Sequence, residues 1–183
     1  NLQLILSLGN QPPSDAFLRE GDLKKPEATF PLDLLFCSTC SLVQLGYAVD
    51  PDLLFRDYAY NTGSNDALKK NFKELVEKII ARYTLKSGDF VIDVGSNDGT
   101  LLSNYLPYDI KVLGIDPSSS TSLAKNVGIE TLVDYFNEAA AQKILATKGK
   151  AEVITATNVF AHVVELDSFM RGIALLLADK GVF

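Results

Sequence analysis

Phe90-Val91-Ile92-Asp93-Val94-Gly95-Ser96-Asn97-Asp98-Gly99 is the stretch that decides the fold. Phe90–Val94 reads as a strand buried on both faces, as in a parallel sheet. It runs straight into a turn with two glycines, which let the backbone pass close to a ligand. The helix expected behind the turn, Thr100–Leu106, offers unpaired N–H groups at its start. Dinucleotide-binding turns in this position read Gly-x-Gly-x-x-Gly. Here the order is Asp-x-Gly-x-x-x-Gly, with Asp93 ahead of the first glycine. A carboxylate there suits a cationic or amine-bearing ligand and repels a pyrophosphate.

Outward from this turn the chain alternates strand and helix. Strands are expected at Lys111–Ile115, Glu130–Val133 and Glu152–Ala156. Helices are expected at Ser119–Val127, closed by Gly128, at Glu138–Ala146 and at Leu166–Leu177. This βαβ alternation predicts a parallel sheet with helices on both faces. On the N-terminal side, Leu68, Phe72, Leu75, Val76, Ile79, Ile80 and Tyr83 recur with helical period, predicting an amphipathic helix over 66–83. Asp66 near its start complements the helix dipole. A domain boundary is expected in Asn61-Thr62-Gly63-Ser64-Asn65.

Ligands of open α/β sheets sit at the carboxyl ends of the strands. Four segments of this chain fall there. Asp93 through Gly99 is the first. Asp116, followed by Pro117, ends the second strand, where an acid hydrogen-bonds ribose hydroxyls. Asp134-Tyr135-Phe136 ends the third and offers an aromatic ring to flank an adenine. Thr157-Asn158-Val159-Phe160-Ala161-His162 ends the fourth. A tight turn accounts for a lone Gly-rich stretch, and a strand-end cap accounts for Asp116 alone. The four together are what S-adenosylmethionine requires: a carboxylate for the amino group, one for the ribose, and an apolar slot for the base. The cofactor-contact candidates are Asp93, Gly95, Asn97, Asp98, Gly99, Asp116, Pro117, Phe136 and Asn158.

Composition narrows the function classes. The chain has 183 residues, 47% hydrophobic and 22% charged, which is ordinary for a globular protein of one or two domains. The net charge of −6 and pI near 4.8 lack the basic footprint of a nucleic-acid binder and disfavour an anionic membrane surface. No apolar run reaches the roughly 18 residues of a membrane helix. A single His removes most zinc-hydrolase and His-dyad schemes. The two cysteines, Cys37-x-x-Cys40, form no secreted disulfide framework and fit a reducing compartment such as the cytoplasm.

Residues 1–60 read as a small β-rich module. Leu2, Leu4, Leu6 and Leu8 alternate as in a strand that Gly9-Asn10-Gln11-Pro12-Pro13 breaks. Ala28–Phe36 and Ser41–Leu45 read as two more strands, with Cys37 and Cys40 in their short link. A thioredoxin-like pair would open a helix in a βαβ unit. A strand follows here, which favours a zinc knuckle, although a closed structural site needs four ligands. The opening Asn1 and the strand-like Gly181-Val182-Phe183 make both ends look cut, so a fragment of a longer chain is expected.

The sequence resembles the sugar C-methyltransferases of deoxysugar biosynthesis, typified by nucleoside-diphosphate-4-ketohexose 3-C-methyltransferases. The likeness runs over the whole chain. It is carried by Leu8–Pro12 through Ala16-Phe17-Leu18, by Phe30-Pro31-Leu32 leading to Cys37-x-x-Cys40, and by Leu42–Leu45. Its most specific parts are Gly95–Leu102, Gly114-Ile115-Asp116-Pro117 and Asn158–His162. The resemblance implies a class I methyltransferase Rossmann-like sheet over 66–183, preceded by a truncated zinc-binding-type module over 1–60. It implies S-adenosylmethionine as cofactor and a structural zinc held by Cys37, Cys40 and two thiolates upstream. The family places Gly after the second knuckle cysteine, where this chain has Ser41. It also implies a nucleotide-linked 4-keto-deoxysugar as substrate and a proton-abstracting group beyond Phe183. Tyr58 or Tyr60 would reach the sugar, and His162 would contact substrate or handle a proton. The bland readings of these three are linker packing and a capping histidine. Two other classes stay open: a nicotinamide-dependent sugar oxidoreductase, against which the missing Gly-x-Gly-x-x-Gly speaks, and a catalytically inert methyltransferase-like binding domain. A methyltransferase acting on another small molecule is the remaining alternative.

Overall fold

A computed structural model describes every residue except Asp15. The chain divides into two compact units, Asn1–Ala59 and Tyr60–Phe183.

The first unit is a three-stranded antiparallel sheet in the order β1-β2-β3, with β1 at Leu2–Gln11, β2 at Phe30–Cys37 and β3 at Val43–Leu45. The register pairs Leu2 with Cys37 and Phe36 with Val43. Gly9 does not end β1 as its sequence suggests. The pairing shifts between Ser7 and Asn10, a bulge-type irregularity that absorbs Gly9 at φ +69°, and the strand runs on to Gln11 before the prolines. A short helix α1, Pro51–Phe55, follows. It has proline in its first turn, and the Asp50 carboxylate accepts the Asp52 N–H at 2.9 Å.

The second unit opens with α2, Asp66–Tyr83, as its apolar period predicts. The Asn65 side chain caps it by accepting the Leu68 N–H at 3.1 Å. Phe72 and Val76 are its buried face. The sheet behind it has five parallel strands: β4 (Phe90–Val94), β5 (Lys111–Ile115), β6 (Thr131–Leu132), β7 (Ala151–Thr155) and β8 (Leu177–Val182). Their spatial order is β6-β5-β4-β7-β8. Three helices alternate with them: α3 (Thr121–Asn126), α4 (Glu138–Lys148) and α5 (Leu166–Leu176).

All five residues of β4 are buried, because apolar layers cover both faces of the sheet. One layer holds Ile92, Val94, Leu113, Ile115, Phe136, Ile144 and Phe169. The other holds Val76, Val91, Leu102, Tyr105, Ile129 and Val153. The chain leaves β4 toward β5 on one side and later returns to lay β7 on the other. The switch point that opens a crevice in sheets of this kind therefore lies at the carboxyl end of β4.

Two expectations are corrected. The α-helix expected over Thr100–Leu106 is a turn followed by a 3-10 segment, Leu102–Tyr108. Pro107 lies inside it, lacks an N–H and disrupts an α-helical ladder. At the other end, Leu177 is the first residue of β8 rather than the last of a helix, with extended backbone at φ −73° and ψ 133°. Among the described residues no helix is long and apolar enough to cross a membrane.

Candidate functional site at the carboxyl edge of the parallel sheet

Gly95 leaves β4 at φ +71°, and a Cβ there would overlap the Val159 side chain. The exit of β7 is thus packed onto the first turn of the site. Its neighbour Asn158 sits at φ +56° and is exposed. Gly114 on β5 has a different reason for lacking a side chain. Ser96 of the turn lies over it, and a Cβ would run into the Ser96 hydroxyl. These two close approaches draw the turn, β5 and the β7 exit together.

Asp93 lies beneath the turn, only 2% exposed, with the Thr155 hydroxyl donating to its Oδ1. Burial pushes its carboxyl up to about 7, opposed by the Thr155 hydrogen bond and reinforced by the charge of Asp116. Tyr105, fully buried on the same side of the sheet, has its phenol pushed up by burial and by Asp93.

Asp116 follows β5 and is also buried. Its Oδ1 accepts both the N–H (2.8 Å) and the hydroxyl of Ser118. Its Oδ2 accepts the Asn97 N–H at 2.8 Å. A carboxylate has about four lone-pair directions, so Oδ2 keeps acceptor capacity for one ligand hydroxyl. A second hydroxyl can compete with the Ser118 side chain. Pro117, partly buried, sets the chain for the Ser118–Ser120 turn that follows.

Asn97 and Asp98, expected to face a cofactor, have other partners. Asn97 is left-handed at φ +52°, which turns its amide back toward residues 60–62. Its Nδ2 donates to the Tyr60 carbonyl at 3.0 Å, and its Oδ1 accepts the Thr62 N–H at 3.0 Å. Asp98 accepts the Gly63 N–H at 2.6 Å on Oδ2, and the Thr100 N–H and hydroxyl on Oδ1. Phe136 is in place after β6, but its ring packs edge-on against Phe169, with centroids 4.9 Å apart, and is 9% exposed. It is chiefly a core ring beneath α5.

The candidates on the substrate side are spread. Tyr58 belongs to the first unit, edge-on to Phe55 at 6.2 Å. Tyr60 belongs to the second and is 42% exposed. His162 is exposed in the short 3-10 turn Phe160–His162 after β7, its N–H donating to the Val159 carbonyl at 2.9 Å. Sequence reasoning missed Ser118, Ser120, Thr155 and Asn61. The run Ser118-Ser119-Ser120 after Asp116-Pro117 was a visible signal for hydroxyl donors. The others depend on contacts between distant segments.

In the first unit Cys37 and Cys40 are free thiols. The Cys37 thiol is pushed down by hydrogen bonds from the backbone of Cys40 and of Thr39. The Ser41 N–H donates to the Cys37 carbonyl at 2.8 Å, and Ser41 takes φ +62°. This is a tight knuckle that stabilises thiolate, the form that ligates metal. Among the described residues no group of three or more His, Cys, Asp or Glu converges as a metal site. Two thiolates are fewer than the four ligands of a closed structural zinc site.

Residues 1–55 match the family described as "Putative zinc binding domain". The C-methyltransferase NovU of Streptomyces niveus is 29% identical over 180 residues, covering 98% of this chain and 43% of that protein. The ubiquinone biosynthesis O-methyltransferase of Rhodopseudomonas palustris is 27% identical over 95 residues, covering 50% of this chain and 37% of that protein. The chain thus spans less than half the length of these relatives. Among solved structures, an S-adenosylmethionine-dependent methyltransferase from Clostridium acetobutylicum aligns over 62% of this chain and 48% of its own, with a TM-score of 0.48 and 18% identity. One from Thiobacillus denitrificans, solved with S-adenosyl-L-homocysteine, aligns over 60% of this chain and 46% of its own, with a TM-score of 0.46 and 22% identity. Residues 66–183 match the family described as "Methyltransferase domain", and with that match the chain belongs to the methyltransferases of the class I, Rossmann-like fold.

Proposed function

We propose that this chain binds S-adenosylmethionine at the carboxyl edge of its parallel sheet and serves the methylation of a carbon beside a keto group in a nucleotide-linked 4-keto-deoxysugar. The observation that carries the cofactor reading is Asp116. It is a buried carboxylate at the end of β5, held by the Asn97 and Ser118 N–H groups, with acceptor capacity left for a ribose hydroxyl. Gly95 and Gly99 supply the close backbone, and Asp93 the second carboxylate. Phe136, Pro117 and Asn158 border the same edge. The sugar reading rests on the sequence resemblance and on a relative that is itself a C-methyltransferase.

When bound, S-adenosylmethionine supplies an electrophilic methyl group. The substrate carbon becomes a nucleophile only when a base takes its proton and the neighbouring ketone carries the charge as an enolate. What these residues contribute is orientation of the donor against that carbon. Asp116 fixes the ribose end. Asp93, once ionised, attracts the ammonium end. His162, Tyr58 and Tyr60 are the proposed substrate-side groups. The zinc proposed at Cys37 and Cys40 is structural and has no part in the transfer.

Calorimetric titration with S-adenosylhomocysteine and, separately, NAD tests the cofactor reading. Binding of the first and not the second is expected, with Asp116→Ala weakening it. Binding of NAD alone would overturn the assignment. Transfer of radiolabelled methyl by the full-length enzyme to a nucleotide-linked 4-keto-deoxysugar tests the substrate. Transfer to another small molecule instead would leave the cofactor reading intact and refute the sugar.

A further inference from the structure

The segment Tyr60–Gly63, which leads into α2, is gripped by side chains from two different loops. Asn97 binds it as one peptide binds another, donating to the Tyr60 carbonyl and accepting from the Thr62 N–H, both at 3.0 Å. Asp98 takes the Gly63 N–H at 2.6 Å. From the loop after β5, the Ser120 hydroxyl donates to Asn61 Oδ1 at 2.9 Å. Asn97, Asp98 and Ser120 are each buried to better than nine-tenths. Polar side chains at that depth are costly unless paired, and here the pairing partner is this segment.

The two loops so bridged are the two that hold Asp116. Asn97 donates its own N–H to Asp116 Oδ2, and Ser118 donates to Oδ1. Asn97 does so from a left-handed backbone at φ +52°. Single asparagines adopt that conformation when local hydrogen bonds favour it. For Asn97 the bonds that hold it come from residues 60 and 62, distant in sequence but adjacent in the fold. The strap's position and the aim of the N–H on Asp116 are therefore set by the same residue.

We propose that Asn97, Asp98 and Ser120 are positioning residues. They clasp residues 60–63 across the two loops that flank Asp116, so that filling the Asp116 site and fastening the strap that bears Tyr60 are thermodynamically coupled. This rests on the cofactor reading above and goes beyond it, because it assigns Asn97 and Asp98 to the strap rather than to the ligand. Coupling of this kind is reciprocal: a ligand that needs the clasped arrangement must also tighten it.

The experiment is amide hydrogen exchange of Gly63, with and without S-adenosylhomocysteine, alongside calorimetric affinity. It is run on the wild-type chain and on two variants that cut the same bond from opposite sides. Asn97→Gly removes the side chain and tolerates the left-handed backbone. Thr62→Pro removes the N–H that Asn97 accepts. Asn61 before it already has the extended backbone that precedes a proline, at φ −111° and ψ 122°. In the wild type, S-adenosylhomocysteine should slow Gly63 exchange. Thr62→Pro should bind it about three- to tenfold more weakly, the worth of one such hydrogen bond. Asn97→Gly, which loses two, should weaken binding at least as much, and in both variants Gly63 should respond less to the ligand. A role confined to folding would lower thermal stability and leave affinity unchanged. Ligand binding with no effect on Gly63, or unchanged affinity in both variants, overturns the clasp and leaves the cofactor reading standing. No binding of S-adenosylhomocysteine to the wild type overturns both. If Asn97→Gly fails to fold, Thr62→Pro decides alone, since it leaves the cofactor turn untouched.

Discussion

β1 and β4 are both rich in large apolar residues, yet Leu2, Leu4, Ile5, Leu6 and Leu8 are each about half exposed, while Val91 and Ile92 are fully buried. No described residue of 1–59 is fully buried, and the deepest run, 32–37 in β2, is only half-buried. The second unit gathers its apolar residues into two layers on either side of one sheet. The contrast shows that apolar content does not make a core. A core needs a second layer, and a three-stranded antiparallel sheet with one five-residue helix does not supply it. A module of about 60 residues or fewer commonly leans on a metal, a disulfide or a partner. Its two thiols are free and set in a thiolate-stabilising knuckle, which is where the zinc proposed above would bind.

The largest effect is expected from removing the proposed zinc. In the full-length protein, a chelator or Cys37→Ser should release one zinc by elemental analysis and melt residues 1–59. The circular dichroism and cooperative transition of residues 60–183 should persist. Loss of both units together, or no zinc in the intact protein, would refute a separate metal-built first unit.

The next effect lies in the second unit's core. Phe169 is 1% exposed and touches the rings of Phe136, Phe160 and Phe183. Phe169→Ala should cost about 3–5 kcal/mol in chemical denaturation. Leu4→Ala, at a residue 60% exposed, should stay within about 0.5 kcal/mol. Similar costs at the two sites would mean that β1 is buried in solution.

A pH effect comes third. The Asp93 carboxyl is raised to about 7 in the folded chain, chiefly by burial, so the folded state binds its proton more tightly than the unfolded state. Stability should therefore fall as pH rises from about 4 to about 7, with no further change from this group above that. Asp93→Asn, which can still accept from Thr155, should remove that slope in a wild-type-minus-variant comparison of denaturation midpoints. An unchanged slope would mean that Asp93 titrates as an ordinary carboxylate.

Much of this was legible along the chain. Helix α2 follows from an apolar residue every third or fourth position, and the parallel sheet follows from short apolar runs spaced by helices. Asp93 and Asp116 were legible as strand-end acids because each ends such a run. The edges were less so. Thr100–Leu106 carries a helical pattern that Pro107 converts to a tighter turn. Leu177 is apolar in either a helix or a strand, and pairing with β7 makes it a strand. Gly9 reads as a stop, yet the neighbouring β2 ladder carries the strand past it.

Periodicity and turn chemistry are local properties, so the amino-acid order alone carried the parallel-sheet class, most of its strands and helices, and the acids at the strand ends. Only the tertiary structure decided what those residues touch. Gly114 is glycine because Ser96, eighteen positions before it, crosses over its α-carbon. Gly95 is glycine because Val159, from the exit of the neighbouring strand β7, closes on it. Asn97 and Asp98 bind Tyr60, Thr62 and Gly63, more than thirty residues upstream. Phe136 packs edge-on against Phe169. Each is a contact between segments that the sheet alone brings together, and the choice of partner for a polar or aromatic side chain is made by whichever segment the fold delivers within hydrogen-bonding or van der Waals reach.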